Sequence, residues 1–159
     1  IRLEGDGANF HFKSASFLSE SKHIDQQITL NHLGKNTKST QVINNVADSK
    51  ATATCNGRIV IDNGSSKADA SLSNKNLALG DNVTFNAKPE LEIYNDDVSC
   101  SHGATISQLS ESELFYLTSR GVHPARAKNM MARGFLNEAI SGALQANSTH
   151  RLESFFPKI

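Results

Sequence analysis

A chain of 159 residues is long enough for one domain with a real core, but 38% hydrophobic content and no tryptophan make that core narrow or repetitive, not bulky. Sixteen basic and sixteen acidic residues cancel, which excludes a general binder of nucleic acid or acidic membrane built on a basic patch. Two distant cysteines, Cys55 and Cys100, do not make a secreted disulfide framework. A reducing, cytoplasmic compartment is expected, and no stretch reads as a membrane span or a signal peptide.

The chain starts at Ile1, without Met, in what already reads as a strand region, so it reads as a piece of a longer protein. Residues 1 to about 107 form short strands broken by Gly, Asn, Asp and Ser. The expected strands are Ala8–Phe12, Gln27–Leu33, Ser39–Val46, Ala51–Cys55, Arg58–Ile61, Ala68–Ser73, Asn76–Leu79, Val83–Phe85 and Leu91–Tyr94. Several alternate cleanly, with Ala68, Ala70 and Leu72 on one face and Asp69, Ser71 and Ser73 on the other. Small polar residues are common along these strands. They suit stacked rungs, where like residues pair above and below, whereas a sandwich wants larger inward residues. The repeat is irregular, so the pattern favours a solenoid while leaving a sandwich open.

After Ser107 the period becomes helical. Ser110-Glu111-Ser112-Glu113 is a capping box, with Leu109 and Leu114 placed as a hydrophobic staple. A helix is expected from Glu111 to about Arg120, ending at Gly121. Pro124 then opens a second helix, with Ala127, Met131 and Phe135, and Leu136, Ile140 and Leu144, at four-residue steps. Residues 145–150 read as a linker, and Leu152, Phe155 and Phe156 as a last short helical turn. The expected division is thus a β core at 1–107 and a helical segment at 108–159. Leu114, Phe115, Tyr116 and Leu117 are four large residues in a row. One stripe cannot bury all four, so either part of the helix faces a partner or the helix is packed on two sides.

The chemistry concentrates in KPELEIYNDDVSCSHGAT, Lys88 to Thr105. If the segment is extended, Cys100 and His102 point to one face. A thiolate and an imidazole are two ligands suited to iron, zinc or copper, but two do not complete a tetrahedral site. The others come from elsewhere, or the site lies at an interface. Asp96 and Asp97 diverge on a strand and read as a turn. A triad of Ser101, His102 and Asp97 fails because Ser101 and His102 diverge and no nucleophile elbow is present. His11, His23, His32, His123 and His150 show no ligand spacing with one another. Cys55 reads as a core residue, and Met130 and Met131 as helix core or interface.

From about Asn56 to Ile140 the sequence resembles the SufB/SufD family of iron–sulfur cluster assembly proteins. The resemblance rests on NGRI (Asn56–Ile59), KADA (Lys67–Ala70), NKNLAL (Asn74–Leu79), the Cys100 motif, LFYLTSRG (Leu114–Gly121) and GFLNEAI (Gly134–Ile140). Gly103, where SufB-type members usually carry Glu, makes it most like the C-terminal part of a SufD. Cys55 departs from the pattern, standing where relatives often carry an aromatic. The resemblance implies a right-handed parallel β-helix followed by a small helical segment. It implies a non-catalytic scaffold subunit that meets a SufB-like subunit through its β-helix and the ATPase SufC through its helices. His102, with Cys100, would then belong to a nascent cluster or iron-entry site at the heterodimer interface, with none expected in the isolated chain. Phe115, Tyr116, Met130 and Phe135 are the expected contacts for the ATPase subunit. The chain has no phosphate-binding G-x-x-x-x-G-K-[ST] loop of its own. Two alternatives are a β-helix enzyme acting on polysaccharide, disfavoured because its acidic, arginine and aromatic groove is missing, and a purely structural interaction module.

Overall fold

The computed structural model of the protein describes residues 1–141. Eight strands, β1 (Arg2–Leu3), β2 (Asn9–Leu18), β3 (His23–His32), β4 (Lys38–Ala47), β5 (Thr52–Ile61), β6 (Asp69–Ala78), β7 (Thr84–Ile93) and β8 (Ser99–Gln108), precede two helices, α1 (Glu111–Ser119) and α2 (Pro124–Ile140). The strands form two parallel four-stranded sheets, β1-β3-β5-β7 and β2-β4-β6-β8. Consecutive strands therefore lie in opposite sheets, and each pair of strands is one coil of a parallel β-helix. Lys38 pairs with Asp69 and Asp69 with Ser99, a repeat of 31 and then 30 residues.

The strands are longer than their sequence signals. Asn56-Gly57 reads as a break, yet both lie inside β5, which joins two of the expected strands. β6 and β7 each join two more. The reason lies in the core. Gly57 faces inward, and a Cβ there would strike Cδ1 of Leu72. The glycine is a point of close approach between the sheets, not a turn.

The turns lie at the corners. Gly7, Asn36 and Lys67 take positive φ at one corner of successive coils, and Glu20 and Ser49 at the other. Backbone bonds carry the ladder around the corner, from Asn36 N–H to the Ser66 carbonyl (2.9 Å) and from Lys67 N–H to the Asp97 carbonyl (2.6 Å). His32, fully buried beside this corner, lies 2.8 Å from Thr37 Oγ1 through Nδ1 and 2.9 Å from Ser39 Oγ through Nε2. The Thr37 hydroxyl donates to the Gly34 carbonyl, so Nδ1–H donates to Thr37 and Nε2 accepts from Ser39. Burial holds the imidazole pKa below its ordinary value, with Asp69 pulling weakly the other way.

The interior is filled in three zones. Ile59, Ile61, Ala68, Ala70 and Leu72 form one apolar cluster, and Leu18, Ala47, Ala51 and Ala53 another. Between them run inward amides, including Asn45, whose Nδ2 donates to Asn76 Oδ1 at 3.0 Å. α2 lies on the outer face of the second sheet. Ala132 and Leu136 pack on Val46 and Leu77. Polar anchors fix it: Asn44 Nδ2 donates to the Phe135 carbonyl (2.7 Å), Lys75 pairs with Glu138 (2.6 Å), and Lys13 Nζ donates to the Ser141 carbonyl (2.7 Å). The outer face of the first sheet is polar, with cross-coil contacts such as Asn56 to Gln27 and Arg58 to Glu92.

The helices start and stop as their sequences dictate. Ser110 Oγ accepts from Glu113 N–H, Gly121 takes φ +85°, and Pro124 occupies the first turn of α2. Leu144, residues 145–150 and the expected turn at Leu152, Phe155 and Phe156 lie outside the described residues. No described helix is long and apolar enough to cross a membrane.

Candidate functional site

β8 carries the Cys100–His102 motif and is the last strand of its sheet, paired with β6 on one edge only among the described residues. Register stacks Cys100 under Ala70 and His102 under Leu72, both inward positions. The two side chains share one face of the strand, the parity that the extended reading requires. With no described coil beyond β7 and β8, inward positions here open to solvent. His102 is exposed. The hydrophobic side chains around this end are exposed too, Ile93 46%, Tyr94 61% and Ile106 60%, so the end of the β-helix is an apolar surface with an imidazole in it.

Cys100 differs from His102. It is half-buried and packs on the Ile59 cluster with Leu91 and Val98. Burial, and then the charge of Asp69, push its thiol pKa up, and a backbone hydrogen bond at Ala70 only partly offsets this. At neutral pH Cys100 is a protonated thiol, a packing group before it is a ligand. Cys55 is more deeply buried, and its thiol is raised by burial first and by Asp25 second. Among the described residues, no group of three or more His, Cys, Asp or Glu side chains converges as a metal site.

Asp96 and Asp97 sit in the turn between β7 and β8. Asp97 N–H bonds Asn95 Oδ1 at 2.9 Å and its carbonyl caps Lys67, so the pair shapes the corner that delivers β8.

The helical candidates separate into two kinds. Among the described residues α1 has no buried side chain, so the two-sided packing that was one of the two expectations is not seen there. Leu114 and Leu117 are half-buried, while Phe115 (73%) and Tyr116 (56%) are exposed, with Arg120 lying 4.8 Å over the Tyr116 ring. The reason is geometric: among the described residues α1 touches α2 but makes no substantial contact with the sheets, so only one of its faces is covered by them. Met130 of α2 is exposed as well. Phe135 is different, being packed against the Val46–Leu77 cluster with its carbonyl held by Asn44.

Sequence reasoning passed over Ile93, Tyr94 and Ile106 as surface candidates. The signal was available for Ile106, which shares the parity of Cys100 and His102. What alternation cannot tell is that this coil is the last one described.

The family model described as SUF system FeS cluster assembly, SufBD core domain, matches residues 1–135. The iron-sulfur cluster assembly protein SufD of Escherichia coli is 32% identical over 137 residues, covering 86% of this chain and 32% of that protein. A SufBD family protein of Synechocystis is 37% identical over 107 residues, 67% of this chain and 24% of its own length. The iron-sulfur cluster assembly protein SufB of Bacillus subtilis is 31% identical over 134 residues, 84% of this chain and 29% of that protein. The chain thus spans about a third or less of these relatives, in a stretch that SufD and SufB types share at similar identity. By its β-helix, its motifs and this match over most of its length, the chain belongs to the SufBD core domain family of the SUF iron–sulfur cluster assembly system.

Proposed function

We propose that this chain is part of a non-catalytic, SufD-like scaffold subunit of a SUF complex, on which a nascent iron–sulfur cluster is assembled. The observation that carries the reading is the exposure of His102 in an apolar end surface, beside a strand edge that no described residue pairs. Exposed strand edges invite pairing, and a SufB-like subunit fits this end. Its own donors would complete the ligand set that His102 begins. Imidazole is a suitable iron ligand in its neutral form. Cys100 stands two residues away, and iron would have to displace its proton before the sulfur could bind.

The exposed residues Phe115, Tyr116 and Met130 form the contact for a SufC-like ATPase, which supplies the energy for conformational change. Phe135 supports that surface from beneath, through the packing of α2. Gly103, after His102, favours the SufD-like over the SufB-like role.

The test is His102→Ala in the full-length protein, co-expressed with its SufB-like and SufC-like partners. The reading expects a normally assembled complex with deficient iron and acid-labile sulfide. A complex that forms and fills normally would leave the chain as a purely structural module.

A further inference from the structure

Gln41 lies on the inward face of β4, sharing parity with Ser39, which bonds His32 across the core. It is 1% exposed. Neither its Oε1 nor its Nε2 has a hydrogen-bond partner among the described residues. Because both ends are unpaired, turning the amide over does not help. Three further inward amides have a buried oxygen with no partner among the described residues, Gln26 Oε1, Asn45 Oδ1 and Asn74 Oδ1. Gln26 Nε2 is spent on Ser14 Oγ at 3.0 Å, and Asn45 Nδ2 on Asn76.

Buried amides are rarely left this way, because an unsatisfied polar group keeps its full desolvation cost. Gln41 Oε1 has no free donor beside it in the ladder. Its ladder neighbours are Phe12 and Leu72, and its nearest inward neighbours on β4 are Ile43 and Ser39, whose hydroxyl hydrogen goes to His32 Nε2. An occupant must accept from Nε2–H and donate to Oε1. A metal cation cannot accept, and an anion without hydrogen cannot donate. Water does both in the smallest volume. We infer that water occupies this site, bonded to both ends of Gln41, and that the strip of inward amides is a hydrated seam between the two apolar clusters.

A crystal structure of the full-length protein at about 1.5 Å tests this. The expected result is ordered density within about 3 Å of both Gln41 polar atoms, removed in Gln41→Met, which keeps the shape of the side chain and deletes its donors and acceptors. Gln41 bonded at both ends to protein atoms would overturn the inference. So would wild-type density with no water there, or a peak ringed by oxygens at metal distances. Should Gln41→Met fail to fold, the wild-type density decides alone.

Discussion

Leu72 Cδ1 lies where a Cβ on Gly57 would stand, and exchanging bulk between the two should reverse the sign of a mutation. Leu72 is 4% exposed and sits in the Ile59 cluster. Leu72→Ala removes buried hydrocarbon and leaves a cavity, costing about 2–5 kcal/mol. Gly57→Ala places a methyl where Cδ1 of Leu72 already lies. Overpacking of that kind costs about 1–3 kcal/mol, partly offset by the roughly 0.5–1 kcal/mol that alanine gains over glycine inside a strand. In the wild-type background Gly57→Ala is therefore destabilising. In the Leu72→Ala background the obstructing carbon is gone, and the new methyl fills part of the cavity. There Gly57→Ala should stabilise, with a coupling of about 1–3 kcal/mol for residues in contact. Thermal unfolding of the full-length protein and its three variants, read by far-ultraviolet circular dichroism, measures this. Additive effects, or the same sign for Gly57→Ala in both backgrounds, would refute the packing argument.

Further outcomes follow from the same structure. The folded-state pKa of His32 is lowered, so the unfolded chain takes up a proton first as pH falls. Its contribution is intact above about pH 6.5 and declines as pH drops from there towards the folded pKa; His32→Gln should remove that part of the slope between pH-dependent melting curves, and an unchanged slope would contradict it. In native protein at neutral pH, half-buried Cys100 should be alkylated before buried Cys55, and both faster as pH rises; mass spectrometry showing Cys55 modified first would contradict the assigned burial. Phe115→Glu, at an exposed position, should change stability by no more than about 0.5 kcal/mol yet abolish ATPase-subunit binding, whereas Phe135→Glu should loosen α2; wild-type binding by a folded Phe115→Glu protein would remove that residue from the contact.

The helix boundaries were legible because their determinants are local. Ser110, Gly121 and Pro124 each act through their own backbone or within one turn. The strand breaks were less so. Asn56-Gly57 carries turn chemistry, but its glycine answers to Leu72 on the opposite sheet, a contact that no local pattern contains. Gln41 and Asn74 look solvent-facing by composition, yet both are buried. Parallel pairing at 29 to 32 residues, as from His23 to Thr52 and from Thr52 to Thr84, tolerates corners of different length, which blurs the repeat. The motif at Cys100 and His102 was legible as a shared face. The difference between its two members was not, since it depends on Cys100 meeting the Ile59 cluster while His102 opens to solvent.

The central claim is that the His102 imidazole ligates the nascent cluster. The most direct measurement is pulsed electron paramagnetic resonance on the reduced cluster in the assembled complex, with 15N-histidine in this subunit alone. Ligation predicts a 15N hyperfine coupling that His102→Gln abolishes. A paramagnetic cluster without that coupling, or a coupling that survives the substitution, would contradict it.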